Sequence, residues 1–321
     1  METEREAVAS EAVRKGTLKL SVLIVSYQSG EKLYKALRSV LDQKYSDLEI
    51  VVCDDGSDDF DEERLRAFIG DRAVRLLHHP ENVGTVRNLN DGLSLCGGEW
   101  ILLLAADDAL AGPGVISELM KRAERTEKMW LVGSLLFCDK ELKPMGRTSP
   151  TGLQMDLLRT GEPRRIWGSL CRECFLPSGG NLYRKELLEC LGGFDTHYRL
   201  IEDWPLFLRL VRSGNLPEMV DMPVTLHRAN GVSQKAANRN REYQRDLIET
   251  INREILPYLD MLPEKERKEI ETLCRDKKAV YQLRFETSGP ISQMGWALTH
   301  LGTVIRKIMR RGGKGHHGDK L

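Results

Sequence analysis

Within residues 18–112 four runs of aliphatic residues alternate with segments of helical length, and this rhythm limits the folds open to the chain more than any other feature. The first run is "LKLSVLIVSY", the second "LEIVVCDDGS", the third "AVRLLHH" and the fourth "GGEWILLLAADDAL". The first and fourth are near-continuous in Val, Ile and Leu. A strand reads this way when both of its faces are buried, as in a parallel sheet. Between them, "SGEKLYKALRSVLDQKY" places Leu33, Ala36, Leu37, Val40 and Leu41 on one helical face. A charged helix is expected near 61–69. In "NVGTVRNLNDGLSLCG" Val86, Leu89 and Leu93 point inward, and Gly97-Gly98 ends the helix. Parallel strands need crossovers, which are right-handed, so the pattern predicts a doubly wound α/β sheet.

The rhythm loosens after residue 112. A helix near 113–126 is expected, then a strand "WLVGSLLFCD". The stretch 140–182 reads as loop because it carries Pro144, Pro150, Pro163 and Pro177. A helix over 184–191 is stopped by Gly192-Gly193; another is expected over 203–213, followed by a strand "EMVDMPVTLHR". From about 239 the chain is highly charged and helical. Cys171 and Cys174 form one isolated CxxC without a second pair to complete a zinc site, and Cys53 and Cys138 read as small buried residues. The seven cysteines show no disulfide framework, which fits a reducing cytosol. Lys plus Arg total 48 and Asp plus Glu total 48, so no global charge points to nucleic acid. No apolar run is long enough to span a bilayer, and the charged N-terminus lacks the apolar core of a secretory signal. A cytoplasmic location is therefore expected.

In an open α/β sheet, ligands bind beyond the carboxyl ends of the strands. Three such ends are polar here: Ser26-Tyr27, Asp54-Asp55-Gly56-Ser57 and Asp107-Asp108. Taken singly, these are turn and helix-cap residues. Taken together, the acidic ends favour one crevice holding a hard divalent cation, which takes oxygen ligands and offsets the repulsion of adjacent carboxylates. Neither GxxxxGK[ST] nor a GxGxxG after the first strand is present, which disfavours P-loop NTPases and standard Rossmann dehydrogenases. Asp55 can still accept hydrogen bonds from a base or ribose. Arg87, opening a helix beside Asn82 and Gly84, either reaches the crevice or is a solvated surface charge.

Five stretches now carry a resemblance. "SVLIVSYQSGEKLYKALRSVLDQKYSDLEIVVCDDGSDD", "PENVGTVRNLNDGLSLCGGEWILLLAADD", "PSGGNLYRKELLECLGGFD", "LIEDWPLFLRLVRSG" and "PVTLHRANGVS" follow one another as in family 2 glycosyltransferases of the GT-A fold. The resemblance covers residues 18–234. It implies a GT-A catalytic domain there, with a nucleotide-sugar half (18–112) and an acceptor half (113–234). A tail (1–17) would precede it and a helical C-terminal extension (235–321) would follow. It also implies an inverting, metal-assisted sugar transfer from a nucleotide-diphosphate donor, with UDP the first expectation and Mn²⁺ or Mg²⁺ the cation. By position, Tyr27 and Asp55 would hold the base and Arg87 would lie along the donor. Asp107 would face the ribose and Asp108 the cation. Glu202-Asp203 matches the family's acidic pair, with Asp203 the general base, and His227 matches a His near the diphosphate and metal. The chain departs from the family at Ala105, often Asp, and at Val25, often Thr or Ser.

The residues fit that chemistry. An acceptor hydroxyl needs a base within reach, and Asp203 opens a helix whose dipole stabilises a carboxylate, although a plain first-turn Asp reads the same way. Gly179, Gly180 and Asn181 can bring backbone close to a sugar, or form an ordinary turn. Trp167 and Trp204 are candidate sugar-stacking faces, or core residues. The acceptor is expected to be a glycan, a lipid-linked sugar or a protein, in polysaccharide or cell-envelope synthesis. A sugar nucleotidyltransferase would share the sheet and the cation site but would want a Gly-rich basic loop in place of "SYQSGEKL". A non-catalytic nucleotide-sugar-binding protein is the other alternative. In the tail "PISQMGWALTHLGTVIRKIMRRGGKGHHGDKL" apolar residues recur at helical spacing and end in a basic cluster. That segment is expected either to contact the inner face of a membrane peripherally or to dock on the chain or a second copy.

Overall fold

Apolar periodicity turns directly into layers. The computed structural model describes residues 18–228 and 240–286. β1 (Leu20–Ser26), β2 (Leu48–Asp54), β3 (Val74–His78) and β4 (Trp100–Ala105) are parallel, in the order β3-β2-β1-β4. Alternate residues of these strands face opposite sides. Leu20, Val22 and Ile24 of β1 join Ile50, Val52, Leu102 and Leu104 in one buried cluster with α1 (Glu31–Leu41), α2 (Glu62–Ile69) and α4 (Val115–Ala123). The opposite face takes α3 (Thr85–Leu95), which buries Val86, Leu89 and Leu93. There Gly92 sits so close to the sheet that a Cβ would meet Leu23 Cδ1 at 2.6 Å. Both faces are thus covered, which is why β1 and β4 read as unbroken apolar runs. Each fully buried Leu or Val in such a layer contributes about 1.5–3 kcal/mol.

The second half completes one mixed sheet of nine described strands: β5 (Ala109–Leu110), β6 (Trp130–Cys138), β7 (Pro144–Ser149), β8 (Asn181–Arg184) and β9 (Glu218–Arg228) join the first four. β8 runs antiparallel between β4 and β6, β9 runs parallel to β6, and β7 hangs antiparallel on β6 alone. α5 (Gly152–Arg159), α6 (Pro163–Arg172), α7 (Lys185–Cys190) and α8 (Asp203–Arg212) complete the unit.

The stretch 140–182 corrects the expectation of a loop, since it holds β7, α5 and α6. The prolines sit where proline is tolerated. Pro163 opens α6, where its missing N–H would be unpaired anyway, and Pro144 begins an edge strand next to a bulge. Pro223 lies inside β9 where the register with β6 shifts at Ser134. Asp107-Asp108 caps no helix; the chain continues into β5, and α4 begins only at Val115.

The chain divides into two units, Met1–Lys235 and Ala236–Leu321. In the second, Asn240 caps α9 (Arg241–Thr250) by accepting from Glu242 N at 2.9 Å. A π turn, Ile251–Ile255, and a 3-10 turn, Leu256–Met261, lead to α10 (Glu264–Tyr281). No described helix is long and apolar enough to cross a membrane. The basic, apolar tail beyond 286 and the segment 1–17 lie outside the described residues.

Candidate active site

The carboxyl ends of β1, β2, β4 and β9, and the amino end of β8, share one edge of the sheet, and the polar residues singled out above cluster there. At β2 the two adjacent carboxylates have separate partners. Asp54 accepts from Ser57 N at 2.8 Å and Ser57 Oγ at 2.7 Å, and its Oδ2 lies 2.9 Å from His78 Nδ1. Asp55 accepts from Asn82 Nδ2 at 2.9 Å, Val83 N at 2.7 Å and Gly84 N at 3.2 Å. Burial pushes the Asp55 carboxyl upward, and the two backbone N–H groups, His79 and Arg199 pull against it. Its carboxylate therefore builds the loop before α3. Tyr27 is 49% exposed, with its ring open at the end of β1. Arg87 is exposed on α3, its Nε 3.8 Å from Asp91 one turn on. A cavity of about 220 Å³ lies beside these strand ends, lined by Ser26, Tyr34, Asp54, Phe60 and Arg64 among others, on the side of α1 and α2. Neither Tyr27 nor Asp55 lines it.

The end of β4 answers why a buried strand runs into two carboxylates. Pairing of Ala109 with Leu226 and Leu110 with Thr225 brings the close of β9 alongside. Asp108 is buried, with its two oxygens 3.0 and 3.1 Å from His227 Nδ1 and Oδ1 accepting from Arg228 N at 3.3 Å. Burial pushes the Asp108 carboxyl up, and the His227 contact works against that. For His227, burial pulls the imidazole down, but the Asp108 hydrogen bond and charge outweigh it and the net shift is upward. Phe137 packs edge-on against the His227 ring, 5.5 Å between centroids. Asp107 is half-buried, and its carbonyl accepts from Arg228 Nη1. Arg228 Nη2 is buried with no hydrogen-bond partner among the described residues. A buried guanidinium N–H without an acceptor costs free energy until an oxygen reaches it. Sequence reasoning missed Arg228; the basic residue after His227 in "TLHR" was the available signal.

Among the described residues no three His, Cys, Asp or Glu side chains are grouped to hold a metal ion. Asp108 and His227 offer one oxygen and one nitrogen donor. That set fits a cation drawing its remaining ligands from donor phosphates and water, as Mg²⁺ commonly does, and does not fit a closed protein cage.

Glu202 and Asp203 keep a little solvent-facing surface while sitting deep among protein atoms. Glu202 is the N-cap of α8 and Asp203 its first residue. Asp203 Oδ1 accepts from Trp204 N at 2.6 Å. Burial pushes both carboxyls up. Glu202 is driven to about 8, with the Asp203 charge adding to burial, while the backbone N–H groups at the helix start moderate Asp203. The buried Tyr183 hydroxyl is held well above its usual range by burial and then by these two carboxylates. Near neutrality Glu202 thus keeps its proton beside Asp203, and the two carboxyls titrate as a pair.

That protonation state has a measurable consequence. The folded chain keeps the Glu202 proton above the pH at which an unfolded glutamate releases it, about 4.3. Stability therefore falls as pH rises from there until Glu202 itself ionises near 8. Glu202→Gln, which mimics the protonated acid, should flatten the curve of unfolding midpoint against pH over this window. The slope removed should be at most about 1.4 kcal/mol per pH unit. A variant curve as steep as that of the unaltered chain would refute the assignment.

The four acceptor candidates have packing duties. A Cβ at Gly179 would lie 3.3 Å from Thr225 Cγ2, and Gly180 has φ +86°, where a Cβ would lie 3.3 Å from Val224 Cβ and 3.4 Å from Thr225 Oγ1 of β9. Asn181 is fully buried; its Oδ1 accepts from Trp130 Nε1 at 2.9 Å, and its Nδ2 donates to Pro177 O and Ser178 O. Trp204 is 3% exposed and donates from Nε1 to Leu170 O at 2.8 Å, so it offers no open ring face; Trp167 is likewise buried. Of the two roles open to Trp167 and Trp204, the fold gives them the core one, and the Asn181 side chain is spent on packing around the turn 177–181.

Comparison with known proteins gives the family and the fold. The sequence profile described as Glycosyl transferase family 2 matches residues 21–192. An uncharacterized glycosyltransferase of Haemophilus influenzae is 25% identical over 249 residues, spanning 74% of this chain and 73% of its own length. The crystal structure of Staphylococcus aureus TarS residues 1–349 in complex with UDP-GlcNAc superposes with a TM-score of 0.56 at 15% identity, covering 82% of this chain and 80% of that one. The mannosyltransferase PcManGT of Pyrobaculum calidifontis, in complex with GDP-Man and Mn²⁺, superposes with a TM-score of 0.52 at 15% identity, covering 93% and 84%. Both structural likenesses are of fold.

Proposed function

The chain belongs to glycosyl transferase family 2 and transfers a sugar from a nucleotide-diphosphate donor, and from that premise we propose that it does so with inversion, with Asp203 as general base and with Asp108, His227 and Arg228 at the leaving diphosphate. The observation that carries this reading is the end of β4 and β9. A buried carboxylate, an imidazole held by it and a guanidinium N–H without a partner among the described residues meet there at one end of the sheet. Such a group of donors suits the negative charge that a nucleoside diphosphate gains as it departs.

Asp203 takes the proton of the acceptor hydroxyl. The freed oxygen pair attacks the anomeric carbon from the side opposite the leaving group, and the glycosidic bond electrons depart with the diphosphate. Burial raises the Asp203 carboxyl, which strengthens it as a base once it is ionised. Glu202, protonated beside it, keeps a second negative charge out of the acceptor's path. A divalent cation bound by Asp108 and His227, Mn²⁺ or Mg²⁺, would act as a Lewis acid on the diphosphate oxygens. Tyr27 offers an exposed ring for stacking a base, while Asp55 acts at second hand by shaping residues 82–84. UDP is the nucleotide proposed, on the strength of the TarS likeness, with GDP the competitor from PcManGT. A glycan or lipid-linked acceptor in envelope or polysaccharide synthesis is the proposed second substrate.

The test is a panel of UDP, GDP, CDP and ADP, each with and without Mn²⁺, read as a shift of the thermal midpoint. A nucleotide at a hundred times its Kd stabilises the folded chain by about 2.7 kcal/mol. UDP with Mn²⁺ should shift the midpoint most, and UDP alone much less. No shift with any diphosphate would overturn the donor site.

A further inference from the structure

The loop before α3 is gripped from two sides. On one side lies Asp55, whose carboxylate takes hydrogen bonds from Asn82, Val83 and Gly84. On the other lies Arg199, which belongs to the acceptor half. Its Nη2 donates to Asn82 O at 3.0 Å and Asn82 Oδ1 at 2.8 Å, and its Nη1 to Val83 O at 3.4 Å. Arg199 O accepts from Val86 N at 3.2 Å, which satisfies one of the unpaired donors in the first turn of α3. The approach leaves no space for a side chain at residue 84. Gly84 has φ +95°, and a Cβ would lie 2.6 Å from Arg199 Cγ and 2.9 Å from Arg199 O. A second tie follows: Asn90 Nδ2 donates to Phe194 O at 2.8 Å and Asn90 Oδ1 accepts from Phe194 N at 2.9 Å.

The segment so fastened, 194–201, runs straight into Glu202 and Asp203. Two residues, Leu200 and Ile201, separate the Arg199 clamp from the N-cap of α8. We infer that Arg199 is a positioning residue that ties the approach to Asp203 to the donor-side loop 82–86, so that occupancy of the nucleotide end restrains the general base. The inference rests on the donor site proposed above. Its physical content is a shared local opening: the loop cannot leave its place without releasing Arg199, and the Arg199 segment cannot leave without exposing three carbonyl oxygens and Val86 N. A planar guanidinium reaches several oxygens at once from a fixed fork. A lysine ammonium at this position would reach fewer.

Hydrogen exchange of the full chain, resolved by segment, tests this in two arms. In the first, without nucleotide, Arg199→Ala should speed exchange roughly tenfold or more in both 82–90 and 199–206 while β1, β2 and β4 keep their protection. Arg199→Lys should fall between. Loosening of one segment without the other, or of neither, overturns the proposal. Should Arg199→Ala fail to fold, Arg199→Lys and Asn82→Ala carry the same comparison. In the second arm, UDP with Mn²⁺ should slow exchange over 199–206 in the unaltered chain. In Arg199→Ala the same nucleotide should still raise the thermal midpoint but leave 199–206 unprotected. A purely structural arginine would change the midpoint and leave nucleotide-dependent protection intact, which refutes the inference. Absence of any midpoint shift by UDP or GDP in the unaltered chain refutes the donor site instead, and the first arm then decides the role of Arg199 alone.

Discussion

Asp203→Asn should lower transfer by roughly 10²- to 10⁴-fold, the usual contribution of a positioned base, while nucleotide binding stays as it was. The amide keeps the oxygen that receives Trp204 N at 2.6 Å, so the start of α8 survives the change. It loses only the capacity to take a proton. In the unaltered chain the acid limb of kcat/KM should sit above the range of an ordinary aspartate, because burial raises the carboxyl and it must ionise before it can act. In Asp203→Asn that limb should vanish from the residual activity. Turnover within a few-fold of the unaltered enzyme would move the base to Glu202.

The second large effect belongs to Asp108. Asp108→Ala should abolish the extra stabilisation that Mn²⁺ gives to nucleotide binding, and with it transfer. A cation on the departing diphosphate is worth several kcal/mol. The same change strips an acceptor from His227 Nδ1 and Arg228 N, which costs about 1–3 kcal/mol of stability for buried donors left unpaired. Asp108→Asn separates the two consequences: the amide oxygen still accepts from Arg228 N, yet the negative charge is gone. Isothermal titration of UDP with and without Mn²⁺ on both variants reads the outcome. Retention of the Mn²⁺ effect in Asp108→Asn would show that the charge holds no cation.

The first hundred described residues were legible because both faces of β1 and β4 are buried, and burial on both faces leaves an unbroken apolar run. The acidic strand ends were legible as places. Their partners were not: Asp55 closes on residues 82–84, and Arg199 reaches them from 116 or 117 positions further on. No local pattern records such a pairing. Between 140 and 182, four prolines suggested loop, although Pro163 starts a helix and Pro144 an edge strand. The residue identity was the same in either case; its position within an element decided its effect. Asn181 and Trp204 show the converse. Amide and indole suit a sugar, but they equally suit a buried carbonyl, and the fold supplies Pro177 O and Leu170 O.

Those packing duties bear on how such an enzyme can change its acceptor over evolutionary time or in the laboratory. Positions 179–181 and 204 are locked into β9, β6 and α6, so variation there would be paid in stability. The neighbouring hairpin has no such obligation. Arg147 of β7 lies over the Phe137 ring, which in turn meets His227, so the strand borders the chemistry while its own side chains stand in solvent. Met145 is 53% exposed and Leu153, at the start of α5, 84%. Libraries aimed at new acceptors should therefore be built on 144–147, where exposure and closeness to His227 coincide.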